Sequence, residues 1–209
     1  MIGIISDFLQ MLRNRNDNNN KDIIFFMNIN GGYECWIQLE LANFLVNKKY
    51  LNSTYREVNS ILEINLSIGK SKRIDIATKI QNTYYLVELK CQSFYQSLDK
   101  IGLGFWRDFL KLHSIKSNDG IKKYAIAFCV INQYINNEYI VNVFNCVKQR
   151  FIDSGDSKAS YYNTGSRLSD EEINLLCNTE INNNNICCIN FKESTDYCSG
   201  IAAVVMCIQ

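Results

Sequence analysis

The sequence predicts an α/β domain built on one mixed β-sheet flanked by helices, and three observations carry that expectation. The 209 residues are enough for a single core, and 47% of them are hydrophobic and 12% aromatic, unlike the composition of a disordered chain. Short apolar runs of strand type are interspersed with longer stretches in which apolar residues recur at helical spacing. Their order is helix, three or four strands, helix, strand, helix and two late strands, which suits helices packed on the faces of a sheet.

Residues 2–13 read as a short amphipathic helix, with Ile5, Phe8, Leu9 and Leu12 on one face. The Asn-rich stretches Asn14 to Lys21 and Asn182 to Asn185 read as exposed loops, because asparagine favours turns. Ile23 to Ile29 is a brief apolar run. Gly31 and Gly32 precede a helical pattern from Tyr33 to Asn47, with Trp36, Leu39, Phe44 and Val46 at roughly helical spacing. Tyr55 to Asn59 and Leu62 to Ile68 are expected strands, and Ser67 to Ser71 a turn. Arg73 to Ile80 and Tyr84 to Cys91 are the clearest strands, joined by a hairpin turn at Gln81-Asn82-Thr83. Leu98 to Ser117 is mostly helical, with Gly102 and Gly104 as the candidate points for a break. Tyr124 to Ile131 is a buried strand by its continuous apolar run, Asn137 to Ile152 a helix, and Asp153 to Arg167 a polar loop. Ser169 is the expected N-cap of a further helix. Ile186 to Phe191 and Gly200 to Ile208 close the chain as strands. A single domain over 1–209 is expected, its core at about 31–131 and residues 132–209 completing it.

Net charge is +1, so no global basic field points to an anionic partner. The distribution is uneven: residues 70–123 hold 11 Lys/Arg against 5 Asp/Glu, whereas residues 124–209 hold 5 against 9. That pattern suits one face for an anionic ligand. No C-x-x-C pair occurs among the nine cysteines and His113 is the only histidine, so a structural zinc site is poorly supported. An odd count in apolar settings suggests buried, reduced thiols in a cytoplasmic protein, with a Cys187–Cys198 disulfide as the open alternative. No signal peptide is evident, and no apolar run reaches the length of a membrane span.

The chemistry concentrates in Lys72-Arg73-Ile74-Asp75-Ile76 and Leu86-Val87-Glu88-Leu89-Lys90. Side chains alternate along a strand, so Glu88 and Lys90 share a face with Leu86 and Tyr84, while Val87 and Leu89 pack behind. Burying a carboxylate and an ammonium in such a strand is costly unless they are paired or meet a metal. Asp75, on the preceding strand, is placed to set its carboxylate beside that of Glu88. Two close carboxylates repel, and oxygen ligands of this kind suit Mg2+ or Mn2+.

This pattern resembles the PD-(D/E)XK nuclease superfamily, with its restriction endonuclease-like fold. Asp75 takes the first acidic position, and Glu88-Leu89-Lys90 takes the (D/E)-X-K triplet after 12 intervening residues. Ile74 stands where the superfamily name has proline. The resemblance covers about residues 31–131. It implies a Mg2+- or Mn2+-dependent nuclease leaving 5′-phosphate ends, with metal held by Asp75, Glu88 and the backbone carbonyl of Leu89. It gives Lys90 the role of orienting or deprotonating the attacking water. It also implies a glutamate from the upstream helix. Glu40 matches the usual placement, to hold the metal through water or anchor Lys90, and Glu34 with Gln38 offers a substitute on another face. Glu57, on the first strand, is a further candidate for a second metal or a water.

Gln92 and Gln96 follow the triplet and are candidates to meet substrate. Lys72, Arg73, Lys100, Arg107 and Lys111 are the cations expected to contact nucleic acid, with Phe94, Tyr95, Phe105 and Trp106 interleaved. DNA is the expected partner, in restriction, repair, phage defence or as a toxin, and homodimers are common among such enzymes. Two other classes stay open: a non-catalytic nucleic-acid-binding module on the same fold, and a metal phosphodiesterase acting on RNA or a nucleotide.

Overall fold

A computed structural model describes residues 1–17, 32–47, 53–58, 60–61, 66–67, 74–80, 82–115, 120–155, 167–195 and 198–208. The predicted mixed α/β sheet flanked by helices is present. Its elements are α1 (Ile2–Asp17), α2 (Gly32–Asn47), β1 (Ser53–Val58), β2 (Ser60–Ile61), β3 (Leu66–Ser67), β4 (Ile74–Ile80), β5 (Thr83–Cys91), α3 (Leu98–His113), β6 (Ile121–Ile131), α4 (Asn137–Ser154), α5 (Asp170–Cys177), β7 (Ile186–Thr195) and β8 (Cys198–Ile208). The main sheet runs β1-β4-β5-β6-β8-β7, and β2 pairs with β3 apart from it. Only β5 and β6 are parallel neighbours among the described strands, with α3 as their crossover.

Side-chain alternation divides the core into two layers. Ala125, Ala127 and Cys129 of β6 and Ala202, Val204 and Met206 of β8 face one core with α3 and α4. Ile126, Phe128 and Val130 of β6 and Ile201, Ala203 and Val205 of β8 face the other with α1 and α2. A central strand buried on both faces needs an unbroken apolar run, and β6 and β8 have one. The C-terminal third thus supplies two strands of the same sheet. No helix among the described residues is long and apolar enough to cross a membrane.

Several local expectations need correction. The first helix continues through Asn14 to Asp17, closed by an Arg13–Asp17 ion pair at 3.5 Å. In α2 the core-facing set is Tyr33, Trp36, Ile37, Leu41, Phe44 and Leu45, while Leu39 and Val46 are exposed. Helix α3 runs unbroken through Gly102 and Gly104. Packing overrides the glycine penalty there, because Phe105, Trp106 and Phe109 bury completely or nearly so and the Trp106 indole donates to the Phe144 carbonyl at 2.8 Å. Ser169 caps α5 as expected, with Glu172 completing a capping box. All nine cysteines are free, so Cys187 and Cys198 are not joined, and only Cys91, Cys129 and Cys198 are buried. The Ile23–Ile29 run, Lys72 and Arg73, and most of the turn at 67–71 and the loop at 153–167 lie outside the described residues.

Candidate active site

The site begins where the β4–β5 hairpin stops pairing. Its register runs from Ile80 opposite Thr83 to Ile76 opposite Val87. Asp75 is the next residue, and there its side chain bridges the strands: Oδ2 accepts the Leu89 N–H at 2.7 Å. On β5, Tyr84 and Leu86 enter the core beneath α3, while Val87, Leu89 and Cys91 enter the opposite one. Glu88 and Lys90 therefore emerge on the α3 side, the former only 2% exposed.

Two helices close on these side chains. Lys111 of α3 donates from Nζ to Glu88 Oε1 at 2.6 Å. Lys90 Nζ lies 3.1 Å from Asp108 Oδ2, also on α3, and 3.6 Å from Glu34 Oε1 on α2. Four carboxylates (Glu34, Asp75, Glu88 and Asp108) thus gather around two ammoniums, Lys90 and Lys111.

Burial in this crowded acid cluster decides the protonation states. Glu88 is pushed up to about 8, first by burial and then by the charges of Asp108 and Asp75, against the opposing pull of Lys111. Burial likewise lifts Asp108 to about 6 despite Lys90 and Lys111. Glu34 is raised by burial, which outweighs Lys90 and a backbone hydrogen bond from Cys91. For Lys90 burial works downward, but Asp108, Glu34 and Asp75 together overcome it and hold the ammonium above the ordinary lysine range.

The donor chemistry fits a divalent cation. Among the described residues no three His, Cys, Asp or Glu side chains are arranged to hold a metal by themselves. Mg2+, however, is commonly held by one or two carboxylates with several waters. Asp75, Glu88 and the Leu89 carbonyl provide hard oxygen donors of that kind. With all six groups ionised, the cluster has two negative charges in excess, the amount one divalent ion neutralises.

The remaining candidates divide clearly. The expectation for Glu40 is not met: its Oε2 lies 2.6 Å from Arg15 Nη1, so the side chain is committed to α1. Glu34, six residues earlier and so on a different face of α2, takes the place by Lys90. Gln38 is buried one turn from Glu34. Gln92 is buried and staples the fold, accepting from the Val130 N–H at 3.0 Å and donating to the Gln96 carbonyl at 3.1 Å. Position 57 falls on β1 between Arg56, opposite Ile76, and Val58, opposite Ile74, beside Asp75 in register. Lys100 is exposed in the first turn of α3 and Arg107 is half-buried, whereas Lys111 belongs to the acid cluster. Phe105 and Trp106 are buried and have no face for a base; Tyr95, at 74% exposure, does. His113 lies 3.6 Å from Glu171 on α5.

Sequence reading missed Asp108. Gly104, Asp108 and Lys111 stand at i, i+4 and i+7 of α3, one stripe of a helix that also buries Leu98, Ile101, Phe105, Phe109 and Leu112. A buried-face acid within that stripe is the signal that could have found it. Comparisons with protein-family models, curated proteins and solved structures find no match to this chain.

Proposed function

We propose that this protein is a divalent-metal-dependent nuclease, hydrolysing phosphodiester bonds in nucleic acid, with DNA as the first substrate to test. The observation that carries the proposal is the seating of the Asp75 carboxylate on the Leu89 N–H, between Glu88 and Lys90 where the β4–β5 hairpin opens, close enough for its charge to act on both. Buried carboxylates in excess over their lysine partners are expensive to keep in a fold, and such groups gather at functional sites.

Asp75, Glu88 and the Leu89 carbonyl would hold Mg2+ or Mn2+. That ion, when bound, polarises a phosphoryl oxygen and acidifies a water. Lys90 is held protonated by its carboxylate neighbours, so it acts as a donor and a positive charge rather than as a base. It orients the attacking water and stabilises the negative charge that builds on the phosphoryl oxygens. Glu34 and Asp108 restrain its ammonium from two sides of the sheet. The buried carboxylate of Glu88 favours metal over proton as pH rises toward 8. A reducing compartment such as the cytoplasm suits nine free thiols.

The test is incubation of purified protein with supercoiled plasmid, linear DNA and RNA, each with Mg2+, Mn2+ or EDTA. Cleavage of DNA with metal and none with EDTA is expected. Cleavage of RNA alone would transfer the mechanism to another substrate. Binding without cleavage in every metal would leave a binding module.

A further inference from the structure

We propose that Asp108, on a face of α3 opened by Gly104, is the residue that positions Lys90 for catalysis, a role resting on the nuclease function proposed above. The stem of Lys90 crosses α3 directly over Gly104: a Cβ at that position would lie 2.8 Å from Lys90 Cδ, 3.2 Å from Cε and 3.3 Å from Cγ. Any larger residue there would push the lysine aside. One helical turn further on, Asp108 receives the ammonium at 3.1 Å. Glycine and aspartate are thus the floor and the stop of a channel that fixes where the Lys90 charge sits.

The helix carrying this channel is itself fixed. Trp106, between the two residues, is fully buried and bonded to the Phe144 carbonyl of α4. Its ring packs edge-to-face on Phe105 and Phe109 at 5.4 and 5.3 Å. Asp108 is also the better placed of the two carboxylates by Lys90. Its side chain is 13% exposed against 35% for Glu34, and its oxygen is nearer by half an ångström. Less water and a shorter distance make its hold on the ammonium the stronger one.

The two residues allow tests that separate positioning from folding. Gly104→Ala adds a good helix former to a helix interior, and the three nearest atoms its Cβ meets all belong to a flexible lysine stem, so the fold should melt no earlier than wild type. Lys90 must nonetheless move. Asp108→Asn keeps the shape and removes the charge. Gly102→Ala is the control, since its Cβ would meet Val147 of α4 rather than Lys90. With supercoiled plasmid and Mg2+, Gly104→Ala and Asp108→Asn should each lower kcat by about 10- to 100-fold with KM unchanged, as small misplacements of reacting groups do. Gly102→Ala should cut as wild type does. In parallel, Lys90 acetylation by acetic anhydride, read by mass spectrometry, should be faster in Asp108→Asn and altered in Gly104→Ala. Wild-type kcat in both variants, or unchanged Lys90 labelling in both, overturns the positioning role. If the wild type cuts nothing, the proposed function fails, and the labelling alone still decides whether Asp108 and Gly104 place Lys90.

Discussion

Replacing Glu88 by glutamine should make the metal-free protein more stable, a result opposite to that expected for most buried polar substitutions. The carboxyl is 2% exposed and its folded pKa is raised to about 8, from 4.5 in an unfolded chain. A folded pKa above the unfolded one means that between those values the native state binds the extra proton. Its contribution to stability is fully present below pH 4.5 and is lost as pH rises toward and through 8. At pH 7 the carboxyl has withdrawn about 3 kcal/mol relative to acid, and near pH 5 only about 1 kcal/mol. Glutamine removes that pH-dependent loss. It also weakens the 2.6 Å contact from Lys111, whose side chain is 25% exposed and can take water instead, a loss of about 1 kcal/mol. The net gain is about 2 kcal/mol at pH 7, or about 4–8 °C in Tm for a chain of this size. The assay is a series of thermal melts in EDTA from pH 5 to pH 9. Glu88→Gln should match wild type near pH 5 and exceed it increasingly toward pH 8. A variant melting at or below wild type at pH 8 would refute the claim that Glu88 is a strained, buried carboxyl.

Three further outcomes follow from the same geometry. Asp75→Ala should lower nuclease activity, with partial recovery in added Mn2+, because it removes a proposed metal donor; it also removes the acceptor of the Leu89 N–H, so the melt should show a loss of about 1 kcal/mol. Glu34→Gln should lower activity with little change in melting temperature, whereas Glu40→Gln should leave activity intact and cost about 1 kcal/mol or less through its Arg15 pair. Mn2+ binding followed by electron paramagnetic resonance should tighten from pH 6 to pH 8, since the ion must compete with the proton on Glu88; an affinity flat across that range would separate the ion from this carboxyl.

The parts of this molecule that were legible in sequence are those set by strand and helix periodicity. The unbroken apolar runs of β6 and β8 identify strands buried on both sides, and the alternation through Leu86, Glu88 and Lys90 places those charges on one face. The choice between Glu34 and Glu40 was not legible. Both stand on α2, and only the packing of α1, which brings Arg15 beside Glu40, separates them. The exposure of Leu39 and Val46 has the same origin, because the core face of α2 is set by where α1 and the sheet lie. Asp108 escaped because its partner Lys90 is 18 positions away, and the crossover geometry that joins them leaves no local pattern. Gly104 was read as a weak point in a helix; its use appears only once the Lys90 stem is seen passing over it.

The central claim is that the Asp75–Glu88–Lys90 cluster performs metal-dependent phosphodiester hydrolysis. The most direct measurement is plasmid cleavage by wild type and Lys90→Ala, purified identically and assayed in Mg2+ and in EDTA, beside a thermal melt. Wild type should cut in Mg2+ only. Lys90→Ala should be about 100- to 1000-fold slower while still folded and still binding DNA, because in the proposed mechanism the lysine supplies transition-state charge and is not a metal donor. Cleavage at equal rates by both proteins would contradict the account, and Lys90 would then be a structural charge.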